Sequence, residues 1–185
     1  MEPLDFNANL KEESARPTGV RYGLILGLIS TVLSVVFIMT NTIDFSGTKS
    51  NMLSSIISWG VSVFFFYKAI STYKEELNGY ITLGKSIVVS MWVGVVSSVI
   101  SGLFMFIYFK FIDPTFIDKT LDIMRANLEE KGMDTNQIDT AMSMTSMFLT
   151  PVSMSLFTVL GGVFMGLFLG LVLGLILRKD PPTFE

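Results

Sequence analysis

Between Pro151 and Arg178 the chain runs for 26 residues without a charged side chain, and most of them are apolar. About 20 such residues cross the hydrocarbon core of a bilayer, so this stretch reads as a membrane span and the rest of the chain must be compatible with lipid. Within it Gly162, Gly166, Gly170 and Gly174 recur every four residues. In water each glycine would cost a helix roughly 1 kcal/mol relative to alanine. In a bilayer the same stripe lets a second backbone approach closely over several turns. The helix is therefore expected to be packed against, gripped by other spans or paired with its own copy.

Three further stretches carry the same kind of pattern. Residues 20–40 follow Gly19 and contain Gly23 and Gly27; residues 52–70 contain Ser54, Ser58 and Ser62; residues 86–109 contain Ser90, Gly94, Ser98 and Gly102. The first is too long for the 7–15-residue apolar core of a signal peptide and ends in Asn41-Thr42-Ile43-Asp44 rather than a small-residue cleavage site. It reads as a retained anchor. The expected fold is an all-α integral membrane four-helix bundle, with Gly23, Gly27, Ser58, Ser62, Gly94, Ser98, Gly102, Gly162, Gly166, Gly170 and Gly174 as its helix-packing residues. A serine stripe such as Ser54, Ser58 and Ser62 serves close packing more often than a hydrated path, the functional alternative.

The expected organisation is a flexible tail over residues 1–17, a membrane domain over residues 18–179 with its last span at 152–177, and a short tail over residues 180–185. The charged stretch 67–85, with a turn at Asn78-Gly79, reads as a loop. Counting lysine and arginine near span ends, one side holds Lys11, Arg16, Arg21, Lys68, Lys74, Lys85, Arg178 and Lys179, the other Lys49, Lys110, Lys119, Arg125 and Lys131. Both termini are thus expected in the cytoplasm.

The one large extramembrane element, residues 114–150, is expected outside as a helical hairpin. Pro114 opens a first helix whose apolar face is Ile117, Leu121, Met124 and Leu128, with Asp122, Arg125 and Glu129 spaced to pair along it. Gly132 stops that helix. Asp134 to Gln137 has the form of a capping box, and Ile138, Ala141, Met142, Thr145, Phe148 and Leu149 form the next face, in a helix able to run on into the last span with a kink at Pro151.

Composition narrows the chemistry. With no cysteine and no histidine, the chain lacks thiolate and imidazole as nucleophile, metal ligand or proton shuttle. Met142, Met144 and Met147 bring three thioethers together, a set that favours Cu(I), but methionine on an apolar face is more often a gap filler. No metal and no cofactor is expected. The carboxylates Asp113, Asp118 and Asp122 lack a base or nucleophile nearby in sequence and read as a solvated face. A net charge of −3 with basic residues confined to segment ends argues against nucleic-acid binding.

Several stretches together resemble a family of small membrane proteins of Bacteroidota, the DUF4199 family: residues 21–27 (Arg-Tyr-Gly-Leu-Ile-Leu-Gly), 78–84 (Asn-Gly-Tyr-Ile-Thr-Leu-Gly), 107–114 (Ile-Tyr-Phe-Lys-Phe-Ile-Asp-Pro), 127–133 (Asn-Leu-Glu-Glu-Lys-Gly-Met) and the final glycine-rich helix. The resemblance implies four spans and an inner-membrane location, and offers no catalytic residues to carry over. Genes of this family often neighbour those for a membrane-associated polyprenyl-phosphate glycosyltransferase, so it also implies an accessory role beside such an enzyme as one candidate. The expected function is that of a non-enzymatic accessory or scaffold subunit, whose partners are the bilayer and another membrane protein or its own copy. The alternative is a small oligomeric channel or transporter for a neutral solute, neutral because no span carries a charge away from its ends.

Overall fold

A computed structural model describes residues 14–40, 42 and 52–180. Among them are six α-helices and no strand: α1 (Ala15–Met39), α2 (Met52–Glu76), α3 (Leu83–Ile107), α4 (Phe116–Glu130), α5 (Thr135–Phe148) and α6 (Pro151–Leu177). A π-helical turn, Tyr108–Ile112, prolongs α3. α1, α2, α6 and α3 with its turn are each long and apolar enough to cross a membrane. A 25-residue helix rises about 37 Å against a hydrocarbon core of about 30 Å. The chain is an all-α, multi-pass membrane protein. Residues 1–13 of the expected tail, 43–51 of the first loop and 181–185 of the last tail lie outside the described residues.

Three boundaries differ from expectation, each for a local reason. α1 begins at Ala15, capped by Ser14 Oγ, which accepts from Arg16 N at 3.3 Å. Pro17 is tolerated there because the first turn of a helix needs no N–H donor. α2 continues through the stretch expected as a loop: Phe66, Ala69, Ile70, Tyr73 and Leu77 keep a buried helical stripe, while Lys68, Glu75 and Glu76 occupy exposed faces. Charge on one face masks an apolar period on the other. Finally, α5 does not run into α6. Thr150 Oγ1 accepts from Ser153 N at 3.1 Å and caps a new helix, with Pro151 at its first position.

α3 is the hub. Its most extensive contacts are with α6 and then α1, while α2 touches the other three spans more lightly. Gly19 meets Trp92 and Gly27 meets Ile100, so α1 and α3 run in the same direction; Gly174 meets Ser86 and Gly102 meets Ser155, so α6 runs opposite. The start of α1, the α2–α3 turn and the end of α6 consequently share one face. There Thr18 Oγ1 hydrogen-bonds both Glu76 carboxylate oxygens at 2.9 and 2.7 Å, and Tyr22 Oη lies 2.8 Å from Thr72 Oγ1. Lys74 Nζ donates to Leu177 O at 2.9 Å, which satisfies a terminal carbonyl of α6. An isolated antiparallel bridge joins Ile81 and Lys179 through N–H···O bonds of 2.9 and 3.0 Å. The turn that presents Ile81 depends on Asn78 and Gly79, both at positive φ. Just above this face lies the core cluster, with Phe66, Ile70 and Tyr73 of α2, Val89 and Val93 of α3, and Leu169 and Leu173 of α6.

On the opposite face α4 and α5 form the hairpin, joined by Arg125 Nη2 to Asp139 Oδ1 at 2.8 Å. Arg125 thus pairs across the hairpin rather than along its own helix. The pair is half exposed, and such pairs contribute at most about 1 kcal/mol. Ile138 is buried, and Phe109 of the π-helical turn stacks on Phe116 with ring centroids 5.1 Å apart. The half-buried faces of α4 carry Ile117, Leu121, Met124 and Leu128 as expected; Phe148 at the end of α5 is exposed instead.

One polar atom within the bundle stands apart. Ser90 Oγ is fully buried between α3 and α6 with no hydrogen-bond partner among the described residues. A buried hydroxyl in that state costs about 1–3 kcal/mol. Ser90→Ala is therefore expected to leave stability unchanged or raise it by up to about 1 kcal/mol, as read from reversible unfolding in mixed micelles. A clear loss of stability would mean that the hydroxyl is bonded after all.

Candidate functional site: a hydroxyl-lined cavity inside the bundle

The small residues of three spans face one another along α3. A Cβ added at Gly23 would come within 2.8 Å of Val96 Cβ, and one at Gly27 within 2.9 Å of Ile100 Cδ1. On the other side of α3, a Cβ at Gly94 would collide with Gly162 O, and one at Gly162 with Ser98 Cβ. Gly166 is similarly blocked by Ser90 O at 2.8 Å, Gly170 by Ser90 Cβ at 2.8 Å, Gly174 by Ser86 Cβ at 2.9 Å and Gly102 by Ser155 O at 3.1 Å. At Gly94, Gly162, Gly166, Gly170 and Gly174 even a Cβ would force backbone or serine Cβ atoms to shift, while Gly27 and Gly102 are tight against atoms that would have to give slightly. In this arrangement the stripe of α6 is occupied by α3 of the same chain, so its glycines are not left over for a second copy.

The serines of α2 are placed differently. Ser54 is buried and Ser62 half-buried, but Ser58 is exposed, and neighbouring Gly60 has open space where a Cβ would go. The structure therefore brings Ser62 to the bundle interior and leaves Ser58 outside it. α2 is pinned by Phe66, Ile70 and Tyr73 near the turn face, and residues 52–60 apart from Ser54 are uncovered.

Where α2 draws back, a cavity of about 210 Å³, open on one side of the bundle, remains among all four spans. Leu26 and Ser30 of α1, Ser62 and Phe66 of α2, Ser97, Ser98 and Ser101 of α3, and Thr158, Gly161 and Met165 of α6 line it, with Gly94 and Gly162 at its back. These residues lie near the middle of their helices, so the cavity sits at mid-membrane depth. Its lining carries hydroxyls and no charge. Ser97 Oγ donates to Gly94 O at 3.2 Å, Ser98 Oγ to Val95 O at 3.1 Å and Thr158 Oγ1 to Met154 O at 2.9 Å, the backbone bonds usual for hydroxyls in a helix. Ser30, Ser62 and Ser101 make no side-chain hydrogen bond among the described residues. Of the cavity's hydroxyls only Ser62 and Ser98 belong to the stripes evident in sequence. Ser97 and Ser101, also four residues apart, form a second and shorter stripe beside the first on α3, which was the available signal.

Outside the membrane the acidic residues stay apart. Asp113 Oδ1 accepts from Thr115 Oγ1 at 2.9 Å, while Asp118 and Asp122 are exposed on α4. No group of three or more His, Cys, Asp or Glu residues able to hold a metal ion occurs among the described residues. Met144 and Met147 are largely exposed and Met142 half-buried, so the three thioethers do not share one face. Just past α6, Arg178 Nε donates to Asp180 Oδ2 at 2.8 Å, and this hydrogen bond holds the Asp180 carboxyl below the usual carboxylate range. The small contribution of that exposed pair is present at neutral pH and lost as the pH falls through the lowered pKa.

Two adjacent glycines separate packing from cavity. A Cβ at Gly161 meets nothing within 4 Å, whereas one at Gly162 collides with Ser98. Gly161→Leu should fold with little loss and crowd the mouth of the cavity, where Gly161 is exposed, while Gly162→Leu should cost at least the 1–3 kcal/mol typical of overpacking. Unfolding midpoints of the two variants in the same detergent check this; equal midpoints would contradict it.

Neither a curated protein nor a solved structure matches this chain. One family model does, over residues 21–179, from the first turns of α1 to the residue that bridges to Ile81, and on that match the chain belongs to the DUF4199 family, described as proteins of unknown function.

Proposed function

We propose that the chain is a non-enzymatic accessory or scaffold subunit of a membrane complex, built as a preassembled bundle that offers α2 to a helix of another membrane protein. One observation carries the reading. α1 and α6 occupy the two small-residue faces of α3, while α2 keeps Ser55, Ser58 and Gly60 uncovered. Small residues on a lipid-facing helix are what allows a partner backbone to approach closely. A membrane glycosyltransferase is the partner class that the family resemblance suggests. With eight of thirteen basic residues on the side of the α2–α3 turn, that face is read as cytoplasmic and the α4–α5 hairpin as lying outside a bacterial inner membrane.

The absence of cysteine in the chain makes the test direct. Ser58→Cys, crosslinked in native membranes with a short bifunctional reagent, is expected to trap a partner, while Phe164→Cys on the lipid-facing side of α6, 69% exposed, does not. Adducts of twice the chain mass at Ser58 would replace the partner with a second copy. Equal trapping at both positions, or none, would remove α2 as a docking helix.

A second reading, an oligomeric path for a neutral solute, is favoured by the uncharged, hydroxyl-bearing cavity. Flux of glycerol or urea into liposomes, compared between the native chain and Gly161→Leu, tests it. Flux no faster than in protein-free liposomes would sink it.

A further inference from the structure

The three unpartnered hydroxyls pose a chemical problem that lipid cannot solve. Hydroxyls in a helix ordinarily donate to a carbonyl three or four residues back, and Ser97, Ser98 and Thr158 do so. Ser30, Ser62 and Ser101, on three different helices, instead keep both donor and acceptor capacity toward the cavity. Acyl chains offer no partner, and an unmet polar group at this depth is costly. A polar molecule in the space can bond to all three at once, which no acyl chain can do.

The rest of the lining narrows what that is. No charged residue borders the cavity, so a charged ligand would find no counter-ion there. Phospholipid headgroups lie at the interface, about 15 Å from the middle of a core about 30 Å thick. Leu26, Phe66 and Met165 form apolar walls, suited to a compact body rather than to water alone. Waters in this space would in large part face hydrocarbon walls rather than the two to four polar partners that an ordered water takes. We propose that the cavity binds a neutral, lipid-soluble carbonyl compound, whose oxygens accept from Ser30, Ser62 and Ser101 and whose ring or chain packs on Phe66 and Met165. A quinone ring on an isoprenoid tail is the chemical class that combines neutrality, paired carbonyl acceptors and residence at mid-membrane depth. The cavity is shared with the neutral-solute reading, on which this binding otherwise does not depend: occupancy is measured in a nanodisc, where no flux exists, so either can fail alone.

The test uses the full chain in nanodiscs and menadione as the probe, followed by quenching of Trp59 and Trp92 and by the shift in melting temperature. The expected result is saturation at one menadione per chain above the linear background of partition into lipid. Removing two hydroxyls together, Ser62→Ala with Ser101→Ala, should weaken binding by about tenfold or more, since two hydrogen bonds to the ligand are lost at once. Gly161→Leu should abolish saturation without moving the melting temperature of the empty protein. Quenching that stays linear and identical in all three proteins overturns the proposal and leaves water as the occupant. Saturable binding that survives both the double serine variant and Gly161→Leu overturns it too, because the ligand would then sit elsewhere.

Discussion

Backbone-to-backbone approach along α3 is the constraint from which the rest of the bundle follows. In lipid there is no hydrophobic gain from bringing one apolar helix against another, so association depends on dispersion contacts and on how closely the two backbones come. Gly94 against Gly162 and Gly166, and Gly23 and Gly27 against Val96 and Ile100, supply that proximity on two sides of one helix. α3 thereby becomes a shared rail for α1 and α6, and the polar bonds at the turn face, Thr18 to Glu76 and Lys74 to Leu177, tie the helix ends in register.

The same economy of side chains explains the cavity. Glycine and serine close the seam between α3 and α6 but supply no volume to fill the corner where a third and fourth helix meet it. α2 joins through large residues, Phe66, Ile70 and Tyr73, which fill the turn-face half of the bundle. Beyond Phe66, Ser62 is too small to fill the space that α2 faces. Tight packing along two faces of α3 and an unfilled corner between them are thus two results of a single choice of residue size. The hydroxyls in that corner are a different matter, since alanine would have served packing as well.

Architecture was legible in the sequence to the extent that periodicity is local. Four long apolar runs, their four-residue stripes and the break at Gly132 can each be read within a few turns of chain. What each stripe faces cannot: Gly162 and Ser98 are 64 residues apart, and the pattern allowed a second copy as readily as α3. α2 was read as ending at residue 70 because Lys68, Lys74, Glu75 and Glu76 outweigh, in a simple reading, the buried stripe that passes between them. The cavity was least legible of all. It draws Ser30 from α1, Ser62 from α2, Ser101 from α3 and Thr158 from α6, positions with no shared spacing until the four helices are assembled.

Chain order gives the α3–α6 seam a history. Thirty-eight residues, 113–150, separate the π-helical turn after α3 from the first residue of α6, and at about 5–20 residues per second a ribosome takes roughly 2–8 s to make them. α3 therefore leaves the ribosome ahead of α6 by that lag, during which its Ser86, Ser90, Gly94 and Ser98 face has no α6 to cover it. A nascent chain in this state shows the membrane a bare small-residue groove, open to whichever helix reaches it first, and the length of the hairpin sets how long that competition lasts.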